Sequence, residues 1–246
     1  MTAAPEKAPA KKHVGRAAAI GLTRERVLAA AIALIDEDGI AGFSVRALAR
    51  RLKVYPAALY WHIGGAKADL FAEISGALIA GLMDLDDLPD DWRDTLRLLF
   101  RRFRTRVHEH PKAAPLLGPQ IRSNGAPNAP WVEVILRALE QAGYEGQSLV
   151  DAFNAVVGAL EGYITMELAA DGERAESDWT RTFDAGLADL DAARFPLVTR
   201  YLPLMHNRAF VMRWQSGDTA PLAEGYDFLI ETLIAGLEAR AGSRAR

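Results

Sequence analysis

The chain has 246 residues, of which half are hydrophobic and a quarter are charged, and its formal net charge is -3. These values are typical of a folded globular protein and exclude a disordered or collagen-like chain. The chain contains no cysteine, which excludes disulfides, thiolate zinc sites and cysteine nucleophiles, and a reducing cytoplasm is the expected compartment. No apolar run approaches the roughly 20 residues that span a bilayer, so no membrane association is predicted.

Helical periodicity runs from Val27 to the C-terminus, because apolar residues recur every three or four positions. Residues 1–20 lack this pattern and are predicted to be a disordered basic arm. A first helix is predicted over about Thr23–Asp38. Ser44 is predicted to cap a second, short helix, and Pro56 is predicted to lie in the first turn of a third.

A fourth helix is predicted to continue to about residue 84, where an acidic loop begins. Later helices are expected over about 96–107, 132–142, 149–168 and 221–241, and the region 171–220 is interrupted by Pro196 and Pro203. The pattern predicts an all-α fold. Its domains are a helix-turn-helix unit at 21–71, a connector to about 84 and a helical ligand-binding and dimerisation domain at 85–246.

The second and third helices are very short, are separated by a tight turn and follow a longer helix, which indicates a helix-turn-helix. The segment 44–67 contains basic residues and no acidic one; the basic residues are Arg46, Arg50, Arg51, Lys53 and Lys67. Such a local patch attracts phosphate even though the net charge of the chain is negative. Double-stranded DNA is therefore the predicted partner, because Lys and Arg release counterions when they contact its backbone.

The chain resembles the DNA-binding domain of the TetR family of repressors over Leu22–Phe71. The resemblance is carried above all by residues 43–63, which read FSVRALARRLKVYPAALYWHI, and by the Leu59-Tyr60-Trp61-His62 core followed by Lys67. It implies that the third helix is the recognition helix, which enters the major groove.

Several residue roles follow from this resemblance. Tyr60 is expected on a phosphate, and Trp61 and His62 are expected near the DNA backbone or the edge of the groove. Lys67 matches a family lysine that meets a phosphate beside a helix N-terminus. Arg46 aligns with a position that can read guanine, since its guanidinium suits the O6/N7 pair.

The positions of the predicted recognition helix that are expected to be exposed carry apolar side chains, where polar ones would be needed to hydrogen-bond to bases. Pro56, Ala57 and Ala58 have no side-chain hydrogen-bonding group, so they can offer bases only apolar contact, for example with thymine methyl groups. Tyr55 replaces the small N-cap residue that is usual in the family, and Lys53 replaces the usual turn glycine. The linker 64–66 is one residue longer than is common.

The resemblance continues more weakly through Leu149–Leu168 and residues 228–239, which look like the two dimerising helices of the tetracycline-repressor branch. It implies a homodimer that forms a four-helix bundle through the helices at 147–170 and 221–241. Two-fold symmetry would place two recognition helices in successive major grooves, about 34 Å apart, on a near-palindromic operator.

A small-molecule inducer, unidentified and largely apolar, is expected among the helices of the body. The candidate pocket residues are bulky apolar groups predicted to face inward, although residues of this kind are more often ordinary core than the wall of a ligand site: Phe100, Phe103, Trp131, Ile135, Phe153, Val157 and Met166. No cofactor or metal is expected. The chain has no counterpart of the histidine that helps hold a drug-bound magnesium ion in tetracycline-binding relatives, and His108 and His110 diverge on a helix.

An enzyme is not expected, because the chain lacks the nucleophile-elbow, zincin, P-loop and dinucleotide-binding signatures. The alternative function is a helical small-molecule carrier or interaction protein that never touches DNA, although the basic segment 44–67 argues against it. The sequence thus predicts a cytoplasmic, nucleoid-associated transcriptional regulator that represses until an inducer releases it. Activation stays open, since the placement of the operator decides it.

Overall fold

The computed structural model describes residues 21–63, 67–117, 129–169, 185–187, 190–212, 217 and 221–242, except the side chains of Trp61, Ile63 and Met212. The predicted basic arm and the linker 64–66 lie outside these ranges. The described helices are α1 (Arg24–Gly42), α2 (Val45–Leu52), α3 (Pro56–Ile63), α4 (Lys67–Ile79), α5 (Trp92–Glu109), α6 (Ala129–Gln141), α7 (Gly146–Glu167), α8 (Pro196–Met205) and α9 (Ala223–Gly242), with 3-10 turns at Pro111–Leu116 and Phe210–Met212. The described residues form no strand, which confirms the predicted all-α class.

Helices α1 to α3 begin where their capping residues predict. The Thr23 hydroxyl accepts from the Arg26 N–H at 3.2 Å, and the Ser44 hydroxyl accepts from the Ala47 N–H at 3.1 Å. Pro56 is the first residue of α3, where its missing N–H leaves no helical bond unmade. Gly39 has a φ of 70° inside α1, so the regular helix ends at the predicted position.

The turn between α2 and α3 is made at Lys53, which has φ 56° and ψ 38°. This left-handed conformation is strained for a residue with a Cβ, at a cost of roughly 1–2 kcal/mol, and it explains why glycine suits this position. The Lys53 N–H donates to the Arg50 carbonyl at 3.1 Å and so caps the end of α2. The short helices then pack on α1 through Leu48 and Leu59, whose side chains are fully buried.

Helix α4 ends at Ile79, five residues earlier than the predicted connector. Gly81 follows with a φ of +69°, a conformation that reverses the chain out of the helix. The Arg106 side chain of α5 donates to the Leu78 carbonyl at 3.2 Å, so it satisfies a terminal carbonyl of α4. The connector is therefore a helix followed by a turn.

The body is built around α5, which packs against α6, α7 and α9. Its apolar stripe is buried over Leu96–Val107. Two buried tyrosines tie α9 to this core: the Tyr226 hydroxyl donates to the Phe100 carbonyl at 3.0 Å, and the Tyr144 hydroxyl donates to the Leu237 carbonyl at 2.8 Å. No helix in the described part of the chain is long and apolar enough to cross a membrane.

The head, which comprises α1 to α4, meets the body at the 3-10 turn Pro111–Leu116, which packs against α1. His110 Nδ1 lies 2.9 Å from Asp36 Oδ2 of α1. Lys112 donates to the Glu37 carbonyl at 2.8 Å. This turn is the direct link between α1 and the body.

Candidate nucleic-acid interface and ligand-binding body

Helix α2 presents a row of cations to solvent. Arg46 and Arg50 lie one turn apart on α2, and Lys53 follows as its C-cap; all three side chains are exposed, and we call them the α2 cation stripe. None of the three forms an ion pair with a carboxylate among the described residues. Their charges are thus available to an anionic partner.

Arg51 is basic like its neighbours but is engaged within the head. Its guanidinium donates to both Glu37 carboxylate oxygens, at 2.6 and 2.8 Å. This hydrogen bonding raises the pKa of Arg51 and lowers the pKa of Glu37. The basic segment counted in the sequence therefore overstates the charge that is free for DNA.

The predicted recognition helix, α3, has one buried side and one exposed side. Leu59 is fully buried, Tyr60 is 40% exposed and Ala57 is exposed. Pro56, Ala58 and His62 are half-buried. The side chain of Trp61, which is also a candidate on this helix, is not among those that the structure describes.

Lys67, the expected phosphate contact, is folded onto the head. Its ammonium donates to the Phe43 carbonyl at 3.2 Å and lies 5.0 Å from the centroid of the Phe71 ring. It also lies 5.6 Å from the Phe43 ring, which adds a second cation–π contact. The side chain is still exposed, so its remaining N–H groups face solvent.

The structure buries most of the candidate pocket residues. Phe100, Phe103, Trp131 and Ile135 are buried, while Phe153 and Val157 are half-buried. The expectation that Met166 faces inward is wrong, because this side chain is 49% exposed on the outer side of α7.

The geometry brings two of these aromatic side chains together. The rings of Trp131 and Phe153 stack with centroids 6.4 Å apart and join α6 to α7. The buried Trp131 indole N–H has no hydrogen-bond partner among the residues that the structure describes. Such an orphan donor costs about 1–3 kcal/mol unless a polar group reaches it.

The sequence interpretation missed a buried carboxylate at the centre of the body. The Glu167 side chain is fully buried, accepts from the Arg104 guanidinium at 2.7 and 3.1 Å and lies 3.2 Å from His108 Nε2. It also accepts from the Leu222 N–H at 2.6 Å. Burial acts to raise the pKa of Glu167, but these hydrogen bonds outweigh it and lower the pKa to about 2.

A sequence signal for this cluster did exist. Glu167 lies on the same side of α7 as the buried residues Val156, Leu160 and Ile164. A carboxylate that continues an apolar stripe must have partners, because an isolated buried charge is strongly destabilising. The partners themselves, on α5 and before α9, are not visible in the sequence.

The two histidines near the end of α5 diverge, as expected. His108 faces Glu167, whereas His110 faces Asp36 of α1. Within the described ranges no group of three or more His, Cys, Asp or Glu side chains could hold a metal ion.

Helices α7 and α9 leave an apolar groove open between them. The groove has a volume of about 520 Å³, and its lining includes Ala152, Ala155, Leu229, Leu233 and Gly236. The same two helices also expose large apolar side chains: Val150 of α7 is 47% exposed and Phe228 of α9 is 75% exposed.

Comparison with known families assigns both halves of the chain. Residues 27–74 match the family described as "Bacterial regulatory proteins, tetR family". Residues 86–241, which are more than half of the chain, match the "Tetracyclin repressor-like, C-terminal domain". The chain belongs to the TetR family. The resemblance inferred from the sequence is thereby confirmed.

Membership of the TetR family sets the class of function. This TetR-family chain is a DNA-binding, ligand-responsive transcriptional regulator. Regulators of the family are non-enzymatic transcription factors, which agrees with the expectation that the chain is not an enzyme.

Individual relatives agree with the assignment. An HTH-type transcriptional regulator from Saccharopolyspora erythraea is 30% identical over 166 residues, which are 67% of this chain and 65% of that regulator. Apo ActR from Streptomyces coelicolor superposes with a TM-score of 0.70 at 19% identity, over 91% of this chain and 98% of ActR. BioQ solved with its double-stranded DNA operator gives a TM-score of 0.54 at 28% identity, over 62% of this chain and 92% of BioQ.

Proposed function

We propose that this TetR-family chain is a homodimeric repressor that binds a near-palindromic operator and is released by a small-molecule inducer. One observation carries the proposal: α3 exposes Ala57 and Tyr60 next to the α2 cation stripe, inside the segment that matches the family. Unpaired cations beside an exposed short helix are what a DNA groove and its phosphates require. The structure of BioQ with its operator gives a precedent for DNA binding by this fold.

The proposed roles divide between phosphates and bases. Tyr60 and Lys67 contact phosphates, and Trp61 and His62 lie near the backbone or the groove edge. Arg46 reads a guanine, because its exposed guanidinium has no competing carboxylate among the described residues.

The start of α3 supplies apolar contacts to the bases. Pro56, Ala57 and Ala58 carry no hydrogen-bonding side-chain group, so they approach thymine methyl groups. Phosphate contacts then give most of the affinity, while the guanine and the thymines give the sequence preference.

The dimer interface is proposed to lie on the helices at 147–170 and 221–241. Its support is the open groove between α7 and α9 and the large apolar side chains, such as Phe228, that these helices expose. Glycines at 158, 162 and 236 leave open space where a side chain would stand, which allows close approach of another helix. Met166, exposed on α7, belongs to this face rather than to the pocket.

The inducer is proposed to lie among Phe100, Phe103, Trp131, Ile135, Phe153 and Val157. These side chains favour a largely apolar, flat molecule, and the orphan Trp131 N–H favours one that carries a hydrogen-bond acceptor. Binding releases DNA to the extent that the inducer prefers the conformation in which the head spacing does not fit the operator.

The test begins with selection of bound sequences from random genomic fragments by the purified protein. We expect a near-palindromic motif, a dimer by analytical ultracentrifugation and a steep loss of affinity with salt. Substituting Arg46 by alanine should relax the preference at one base step per half-site, at about 1–3 kcal/mol. A metabolite panel added to the complex then identifies the inducer.

Two results would count against the proposal. A monomer that ignores duplex DNA would fit the carrier alternative. If the Arg46→Ala variant kept the same sequence preference, Arg46 would not be one of the residues that contact bases.

A further inference from the structure

The residue just before the recognition helix is the most exposed large apolar side chain of the described part of the chain. Tyr55 is 77% exposed, more than the half-exposed Tyr60 that follows it on α3. Its backbone carbonyl accepts from the Ala58 N–H at 2.9 Å, so its main chain forms the start of α3. An aromatic ring is thus fixed at the N-terminal end of the recognition helix with nothing of the head covering it.

The position of Tyr55 follows from the turn that precedes it. Lys53 has a left-handed backbone, and its neighbour Val54 is half-buried, with its N–H donated to the Ala49 carbonyl at 3.0 Å. These contacts hold the chain on both sides of Tyr55 to α2 and α3. The ring therefore points outward from a rigid turn, and little ordering is needed when it meets a partner.

The surface around Tyr55 has a consistent chemistry. The first turn of α3 offers Pro56, Ala57 and Ala58, which provide apolar atoms and no side-chain donor or acceptor. The α2 cation stripe lies on the preceding helix and its C-cap and supplies phosphate contacts. An apolar group next to a phosphate-binding row suits the thymine methyl group, which is the apolar feature of the major-groove edge.

We propose that Tyr55 is a specificity-determining residue whose ring packs against a thymine methyl group at one position of each operator half-site. The inference rests on the proposed function, since it needs α3 to lie in the major groove. Tyr55 stands where the family usually has a small N-cap residue, so this contact would be particular to this chain. The operator should therefore prefer thymine at the base step that faces the start of α3.

The experiment uses the full-length protein and the operator obtained from the fragment selection. Each thymine is replaced in turn by deoxyuridine, which removes the methyl group and keeps base pairing. At one position per half-site we expect affinity to fall roughly three- to fourfold, the effect of burying one methyl group. Tyr55→Ala should bind the unmodified operator about tenfold more weakly and should be insensitive to deoxyuridine at that position.

Two further variants separate the ring from the hydroxyl and from general effects. Tyr55→Phe keeps the ring and should bind like the parent protein. Tyr201→Ala removes a half-exposed tyrosine from α8 of the body and should leave operator affinity unchanged. The slope of log affinity against log salt should be the same for Tyr55→Ala and the parent, because an apolar contact releases no counterions.

The outcomes distinguish this inference from the proposed function. If the parent protein binds no duplex, the proposed function fails. If the parent binds the operator but Tyr55→Ala binds equally well, or remains sensitive to every deoxyuridine, only the role of Tyr55 is overturned. A loss in Tyr55→Phe as large as that in Tyr55→Ala would show that the hydroxyl makes the contact, which also contradicts the methyl contact.

Discussion

Arg46 and Arg50 of the head differ from Arg97 and Arg104 of the body in what lies beside them. In the body, Arg97 donates to both oxygens of Glu231 at 2.7 and 2.8 Å, and Arg104 binds the buried Glu167. In the head, Arg46 and Arg50 are exposed and have no carboxylate partner among the described residues. The same type of side chain thus joins helices at these two positions of the body and stays available for phosphate at these two positions of α2, and the neighbouring carboxylates set the difference.

The sharpest test of the fastening role is Glu167→Gln. This change leaves Arg104 and His108 without a buried anionic partner, and we expect the free energy of unfolding to fall by about 3–5 kcal/mol. Urea unfolding followed by circular dichroism at one fixed protein concentration measures the change, because the stability of a dimer depends on concentration. Glu231→Gln breaks an exposed pair and should change it by no more than about 1 kcal/mol. Equal effects in the two variants would contradict the distinction.

The charge of Glu167 can also be removed by acid. Its pKa is about 2 in the folded chain and 4.5 is the ordinary value, so ionisation favours folding at pH above 4.5. As the pH falls from about 5 towards 2, this stabilisation is lost. We expect the stability difference between the parent and Glu167→Gln to be constant near neutral pH and to shrink in that acidic range. A difference that stays constant down to pH 2 would show that hydrogen-bond geometry, and not charge, gives the stability.

Adjacent arginines of α2 provide a matched pair for DNA binding. Arg50 is free of carboxylates in the described part, whereas Arg51 is held by Glu37. We expect Arg50→Ala to weaken binding to mixed genomic DNA and to reduce the slope of log affinity against log salt by about 1. Arg51→Ala should leave the slope unchanged. A smaller slope in Arg51→Ala alone would reverse the assignment.

The smallest effect is expected at Lys53, where charge and backbone strain coincide. Glycine relieves the left-handed strain, so Lys53→Gly should raise the free energy of unfolding by up to about 1 kcal/mol, after the entropy of glycine is subtracted. Lys53→Ala keeps the strain and removes the charge, so it should weaken DNA binding without stabilising the fold. Thermal unfolding and a DNA titration of both variants separate the two effects.

The parts of the fold that the sequence predicts are those fixed by neighbours along the chain. The Ser44 cap and Pro56 at the start of α3 depend on contacts within a few residues, and their patterns are explicit. The early end of α4 was missed because apolar periodicity continues to Leu82, although Gly81 turns the backbone out of the helix. Local patterns therefore predict where helices begin better than where this one ends.

The charged side chains show what the sequence does not predict. Glu37 and Arg51 are 14 residues apart in sequence, and Arg104 and Glu167 are 63 apart. Whether a charged side chain is paired depends on these distant contacts, which no local pattern encodes. The motif at Leu59–His62 predicts the recognition helix, but the structure was needed to separate Arg50 from Arg51 and to show that Met166 is exposed.

The 3-10 turn at Pro111–Leu116 has a mechanical consequence for the whole molecule. Two of its six residues, Pro111 and Pro115, have no backbone N–H, and 3-10 bonds are weaker than α-helical ones. It packs against α1, and its residues Ala113, Ala114 and Leu116 are buried. Because the turn is part of the body and is packed on α1, a displacement of this one short segment would be carried directly to the first helix of the head.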